Sequence, residues 1–139
     1  MEHLKETNQQ GRNLYIKVKD AYISFDISIL PQMLPPEGYT EIVFPVDYGE
    51  GIIEKTGQIL EDVGGMERGV FPGYIRYNYL PPDWVVPVQV IRAFIPKDHL
   101  NLKKTDLLIK LSESGIACTS RERVIFTTSK HLKREKPEF

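Results

Sequence analysis

The residues able to carry acid–base, nucleophilic or metal chemistry are few in this chain and poorly spaced for it. Histidine occurs only at positions 3, 99 and 131, with no second ligand at the short spacing of a zinc site. No metal and no other cofactor is expected. The single cysteine, Cys118, follows a helix stop with no histidine nearby in sequence. A thiol so placed is expected to pack rather than to attack. Asp26, Glu37, Glu41, Asp47 and Glu50 are acids that could converge for paired-carboxylate work. Asp47 and Glu50, however, have the Asp-x-x-Glu spacing of a helix capping box, which accounts for both without catalysis. The loop Asp47-Tyr-Gly-Glu-Gly51 is glycine-rich at a helix start, yet its two carboxylates would repel a phosphate. No Lys or Ser/Thr follows it at Walker spacing. No catalytic residue is assigned, and the reading leans away from an enzyme.

Binding chemistry is better represented. The stretch Phe71-Pro-Gly-Tyr-Ile-Arg-Tyr77 alternates aromatic and other residues, and Trp84 follows a proline pair. Gly73-Tyr-Ile-Arg-Tyr77 resembles the end of the RNA-recognition-motif strand signature, in which aromatic rings stack on bases. Phe71-Pro-Gly-Tyr-Ile75 is similar to a strand in the N-terminal domain of NusG-type elongation factors, also an α/β sheet fold. Each resemblance covers about five residues, and the leading Trp-Tyr strand and the KOW module of the second family are absent, so no family is assigned. Strand periodicity also places Tyr74 and Tyr77 on opposite faces unless a bulge intervenes.

Two functional classes follow. The first is a small non-catalytic interaction module that binds another protein, or a second copy of itself, through a sheet edge, proline loops and exposed aromatics such as Trp84. The second is a nucleic-acid-binding accessory using Tyr74, Arg76 and Tyr77 with the basic residues Arg121, Arg123, Lys130, Lys133 and Arg134. Charge favours the first. Residues 1–96 carry a net −5 and residues 97–139 a net +4, giving the −1 of the whole chain. A phosphate backbone would have to lean on the C-terminal third alone. No apolar run reaches the ~18 residues that span a bilayer, so no membrane is expected. The polar, acidic start is wrong for a secretory signal, and a cytoplasmic protein is expected.

Positioning these residues requires a small α+β domain, placed over residues 13–129 between flexible charged ends at 1–12 and 130–139. Leu14, Ile16 and Val18 share one strand face. The apolar phase then changes around Lys19-Asp20-Ala21 to Ile23, Phe25, Ile27 and Ile29, which predicts a hairpin. A strand over Thr40–Asp47 follows the loop containing Pro31, Pro35, Pro36 and Gly38. Ile52, Ile53, Thr56, Ile59, Leu60 and Val63 form one face of a helix over Gly51–Val63, with Gly64 as its stop. After the aromatic strand, Val85–Ile95 reads as a strand apolar on both faces apart from Gln89 and Arg92, although Pro87 weighs against a central place. Asn101 is expected to cap a helix over Leu102–Ser114, stopped by Gly115, before a last strand over 116–128 or a hairpin there turning at Arg121-Glu122. Asp47 and Asp98, Leu60 and Leu111, and Gly64 and Gly115 are each 51 residues apart, a faint internal echo. The succession predicts a ferredoxin-like βαββαβ sandwich with an extra N-terminal strand pair.

Overall fold

The computed structural model describes residues 13–17, 20–26 and 34–116, with Lys136 and Glu138 near the C-terminal end. Among the described residues five strands are formed: β1 (Asn13–Lys17), β2 (Ala21–Asp26), β3 (Tyr39–Asp47), β4 (Met66–Tyr77) and β5 (Val86–Pro96). Helix α1 (Ile52–Asp62) joins β3 to β4, and α2 (Leu100–Glu113) follows β5.

The ferredoxin-like βαββαβ sandwich with an added strand pair is not what forms. These five strands belong to one antiparallel, curled sheet in the order β1-β2-β4-β5-β3. The N-terminal hairpin is no appendage, because β2 pairs with β4 from Ala21↔Tyr77 to Phe25↔Gly73. The two strands that flank α1 are not neighbours: β5 lies between them and pairs with both. Helical periodicity locates α1 correctly but says nothing about which strands it leaves adjacent. The strand expected over 116–128, apart from Ile116, lies outside the described residues, as do both ends except Lys136 and Glu138.

The helices are set by their apolar faces and glycine stops rather than by side-chain caps. In α1 the buried residues are Thr56, Ile59 and Leu60, with Val63 buried at its C-terminal cap. The capping box is not made. Asp47 is committed to β3, opposite Val88, and the N-cap is Gly51, with φ +76° and no side-chain hydrogen bond. A left-handed residue at that point suits glycine. Asn101 likewise does not cap α2, which begins two residues earlier behind His99, itself left-handed at φ +55°. Both stops behave as read. Gly64 and Gly115 have φ +82° and +73°, and the residue after each donates its amide back, Gly65 to Leu60 and Ile116 to Leu111.

Register divides the core between two faces of the sheet. Ile42, Phe44 and Val46 of β3 and Ile91, Ala93 and Ile95 of β5 face the helices and bury Ile59, Leu60, Leu107 and Leu111. On the other face Leu14, Ile16, Ile23, Phe25, Val43, Ile75, Val88 and Val90 form a second cluster, with Phe71 and Tyr77 packed against it. The apolar-on-both-faces pattern of β5 is therefore that of a strand buried twice. Pro87 is accommodated because it pairs with Tyr74 of β4 beyond the end of β3, whose register with β5 stops at Asp47↔Val88.

Candidate interaction surface

Three connections gather at one end of the sheet. The β1–β2 turn, the β3–α1 turn and the β4–β5 loop all emerge there, as the pairs Ala21↔Tyr77 and Asp47↔Val88 require. The Asn78 amide donates to the Asp20 carbonyl at 2.8 Å, which ties the first connection to the third. Within the loop, Leu80 donates to Tyr77 and Trp84 to Pro81, so two short turns hold the proline pair.

Large side chains stand in solvent at this end. Trp84 is 63% exposed, Tyr79 70% and Tyr48 66%, and Val86 opens β5 at 36%. The rings of Tyr77 and Tyr79 lie 5.1 Å apart and tilted by 36°. Solvent-facing aromatics grouped in this way are a feature of docking surfaces rather than of ordinary loops. Residues 44–51 and 77–89 carry Asp47, Glu50 and Asp83 and no Lys or Arg. Burial raises the pKa of Asp47 above its ordinary value. Burial first, and then the neighbouring Tyr48, raises that of Tyr74.

The described residues among those singled out from the sequence lie on both faces of the sheet and at its exposed end. Tyr74 pairs with Ser24 and Pro87, and Arg76 with Tyr22, on the helix-bearing face. Tyr77 pairs with Ala21 on the opposite face and packs on the second core cluster. The only register shift in β4 falls between Glu67 and Gly69, too early to bring Tyr74 and Tyr77 to the same side. The two tyrosines therefore cannot act as a joint stacking platform. Arg76 lies with its guanidinium 6.0 Å from the Tyr22 ring, and Lys136 approaches that ring at the same distance. The Glu138 carbonyl accepts from Lys17 Nζ at 3.1 Å, so this part of the C-terminal end lies beside β1 and β2. Arg121 and Arg123 lie outside the described residues. Trp84 is at the exposed end.

Tyr48, Tyr79 and Val86 were not singled out. Tyr48 has no periodic neighbours, and only its place between Asp47 and Gly49 in a turn points to exposure. The acids named for possible convergence are also dispersed. Glu41 is bound to Arg92, Asp47 ends β3 and Glu50 is exposed in the next turn. Among the described residues no group of three or more His, Cys, Asp or Glu side chains could hold a metal ion. No described helix is long and apolar enough to cross a membrane. Comparison with protein-family models, curated proteins and solved structures gives no match to this chain.

Proposed function

We propose that this chain is a small non-catalytic interaction module that recognises another protein through the β4–β5 end of its sheet. The observation that carries the reading is the exposure of Trp84 and Tyr79 on a loop held by two turns and a proline pair. Aromatic anchors of this kind dominate binding energy at protein interfaces. The loop's turns limit the conformational freedom lost on docking, which favours binding. A nucleic-acid interface has less support. Tyr74 and Tyr77 face opposite ways, and the segments that carry the exposed rings, 44–51 and 77–89, hold three acids and no Lys or Arg for phosphates to meet.

A photo-crosslinking residue in place of Tyr79, compared with one in place of Leu102 on the exposed face of α2, tests the proposal. The expected result is a discrete protein adduct from position 79 that Trp84→Ala removes, with none from position 102. Equal labelling at both positions, or an adduct with nucleic acid alone, would overturn it.

A further inference from the structure

The helix-bearing face of the sheet carries a second contact surface, on its β1–β2 side. Among the described residues, the core cluster beneath the helices includes none from β1 or β2. Even so, Tyr15 and Tyr22 of these strands are only 6% and 1% exposed. Both point to that face, since Tyr22 pairs with Arg76, and Tyr15 pairs with Ser24, itself opposite Tyr74. Their rings meet edge to face, with centres 5.9 Å apart and planes at 76°. Two cations approach the Tyr22 ring at 6.0 Å each. Arg76 comes from the next strand, and Lys136 from the C-terminal end of the chain.

Register makes this a two-point contact. Lys17 and Tyr22 are directly opposite on β1 and β2, so their side chains share a face. Lys17 Nζ donates to the Glu138 carbonyl at 3.1 Å, while Lys136 Nζ stands over the Tyr22 ring. One cross-strand pair thus reads an ammonium and, two residues later, a peptide carbonyl. We propose that this pair is a recognition site for a Lys-x-Glu segment, held in the free chain by its own Lys136-Pro-Glu138, which a partner protein's segment of the same pattern displaces. A ring quadrupole and a lysine donor bind these groups whichever chain supplies them. Lys136 and Glu138 both remain exposed where they sit, so an incoming segment can reach the contact. Lys17 and Arg76 flank the ring, which favours an acid after the lysine, as Glu138 is. The net −5 of residues 1–96 favours the approach of a lysine segment from outside, as it does that of the chain's own net +4 end. Because the built-in segment is tethered, it competes at high effective concentration and sets a threshold for its replacement.

The test follows the anisotropy of a fluorescein-labelled peptide with the sequence of residues 130–139, titrated with the full chain. Full-length Lys136→Gln, in which the built-in segment is weakened, should bind this peptide about 2- to 5-fold more tightly than the parent, the range of one exposed cation–π contact. On that variant, a peptide carrying Lys136→Gln should bind about 2- to 5-fold more weakly than the unchanged peptide. Adding Lys17→Met to the chain should weaken binding again. An unlabelled glycine–serine peptide of matched length with a single Lys-Pro-Glu should compete the labelled peptide off. Lys17 and Lys136 are both exposed, and urea midpoints show that the variants fold as the parent does.

No binding of either peptide, or equal affinities for the Lys and Gln peptides, would overturn the site. Equal affinities of the parent and Lys136→Gln chains would overturn its occupation by the chain's own segment. Failure of the glycine–serine competitor, while the chain's own peptide binds, would overturn the outside partner. Release of the labelled peptide by a single-stranded oligodeoxynucleotide, with no release by the Lys-Pro-Glu competitor, would assign the face to nucleic acid instead. The crosslink at position 79 is read separately, so failure here is distinguishable from failure of the β4–β5 reading.

Discussion

Arg92 of β5 donates from Nε to the Glu41 Oε2 on β3 at 2.5 Å, and the two side chains are only 6% and 11% exposed. The guanidinium also lies over Phe94, at 5.1 Å from the ring centre. This diagonal pair sits on the sheet face away from the helices, beside Val43 and Val90. It answers the question raised by one arginine in an otherwise apolar strand. Breaking one partner strands a desolvated charge. Glu41→Gln should therefore cost about 3–5 kcal/mol, whereas the joint change Glu41→Leu with Arg92→Met should cost far less. Urea unfolding of the three proteins decides it. A single variant within about 0.5 kcal/mol of the parent would show that the pair is not held as described.

The helix faces give a second expectation. Leu60 and Leu111 are both completely buried against Ile42, Phe44, Ile91 and their neighbours. Truncating either to alanine should destabilise the chain by about 2–5 kcal/mol through lost transfer energy and the residual cavity. Leu102, exposed on α2, is the control and should change stability by about 0.5 kcal/mol or less. Equal losses at positions 60 and 102 would contradict the packing.

Gly73 is required by space, not by backbone conformation. A Cβ there would stand 2.7 Å from the Ser24 carbonyl oxygen and 3.0 Å from the Phe25 Cβ across the β2–β4 ladder. Gly73→Ala should thus separate β2 from β4 and lower the thermal midpoint. Gly57→Ala in α1, half-buried but with nothing within 4 Å of the added Cβ, should raise it slightly. The reverse order of the two midpoints would mean that β2 and β4 do not approach so closely.

Asp47 sets a pH dependence with a definite sign. Burial raises its folded-state pKa above the ordinary 3.8 of the unfolded chain. Between those two values the native state binds more protons than the unfolded one. Its contribution to stability is therefore full below the unfolded pKa and lost as pH rises through the folded pKa. Asp47→Asn should stabilise the protein at pH 7 relative to the parent and make little difference near pH 3. A variant less stable at pH 7 than at pH 3, relative to the parent, would show that Asp47 instead gains a stabilising partner on folding.

Local order was legible in the sequence and sheet order was not. The spacing of Ile59, Leu60 and Val63, with Gly64 behind them, located α1 because a helix is written in contacts three and four residues apart. The phase change at Asp20 located the β1–β2 turn for the same reason. Pairing of β3 with β5 joins Tyr39 to Pro96, and no short-range pattern records it. Asp47 misled because a carboxylate three residues before Glu50 reads as a cap only if the strand has already ended, and here the strand continues through it. The glycine of the aromatic stretch suggested base stacking, whereas its role is to let β2 approach. Trp84 was legible as a surface residue because prolines on its N-terminal side exclude regular pairing. Tyr48 and Tyr79 were not, since an isolated tyrosine carries no pattern.

The place of β5 between β4 and β3 has a consequence for how the chain is made. β3 leaves the ribosome first, yet its partner begins only at Val86, some forty residues after Asp47. At about 5–20 residues per second, a nine-residue apolar strand waits for seconds before the strand that buries it exists. Such a segment is at its most prone to foreign pairing during that interval. Pro45 in its middle offers no amide to an intruding strand, and Pro45 is tolerated in the finished sheet opposite Val90. Replacing this proline by valine would leave the mature sheet with one more donor, while making the nascent chain easier to capture.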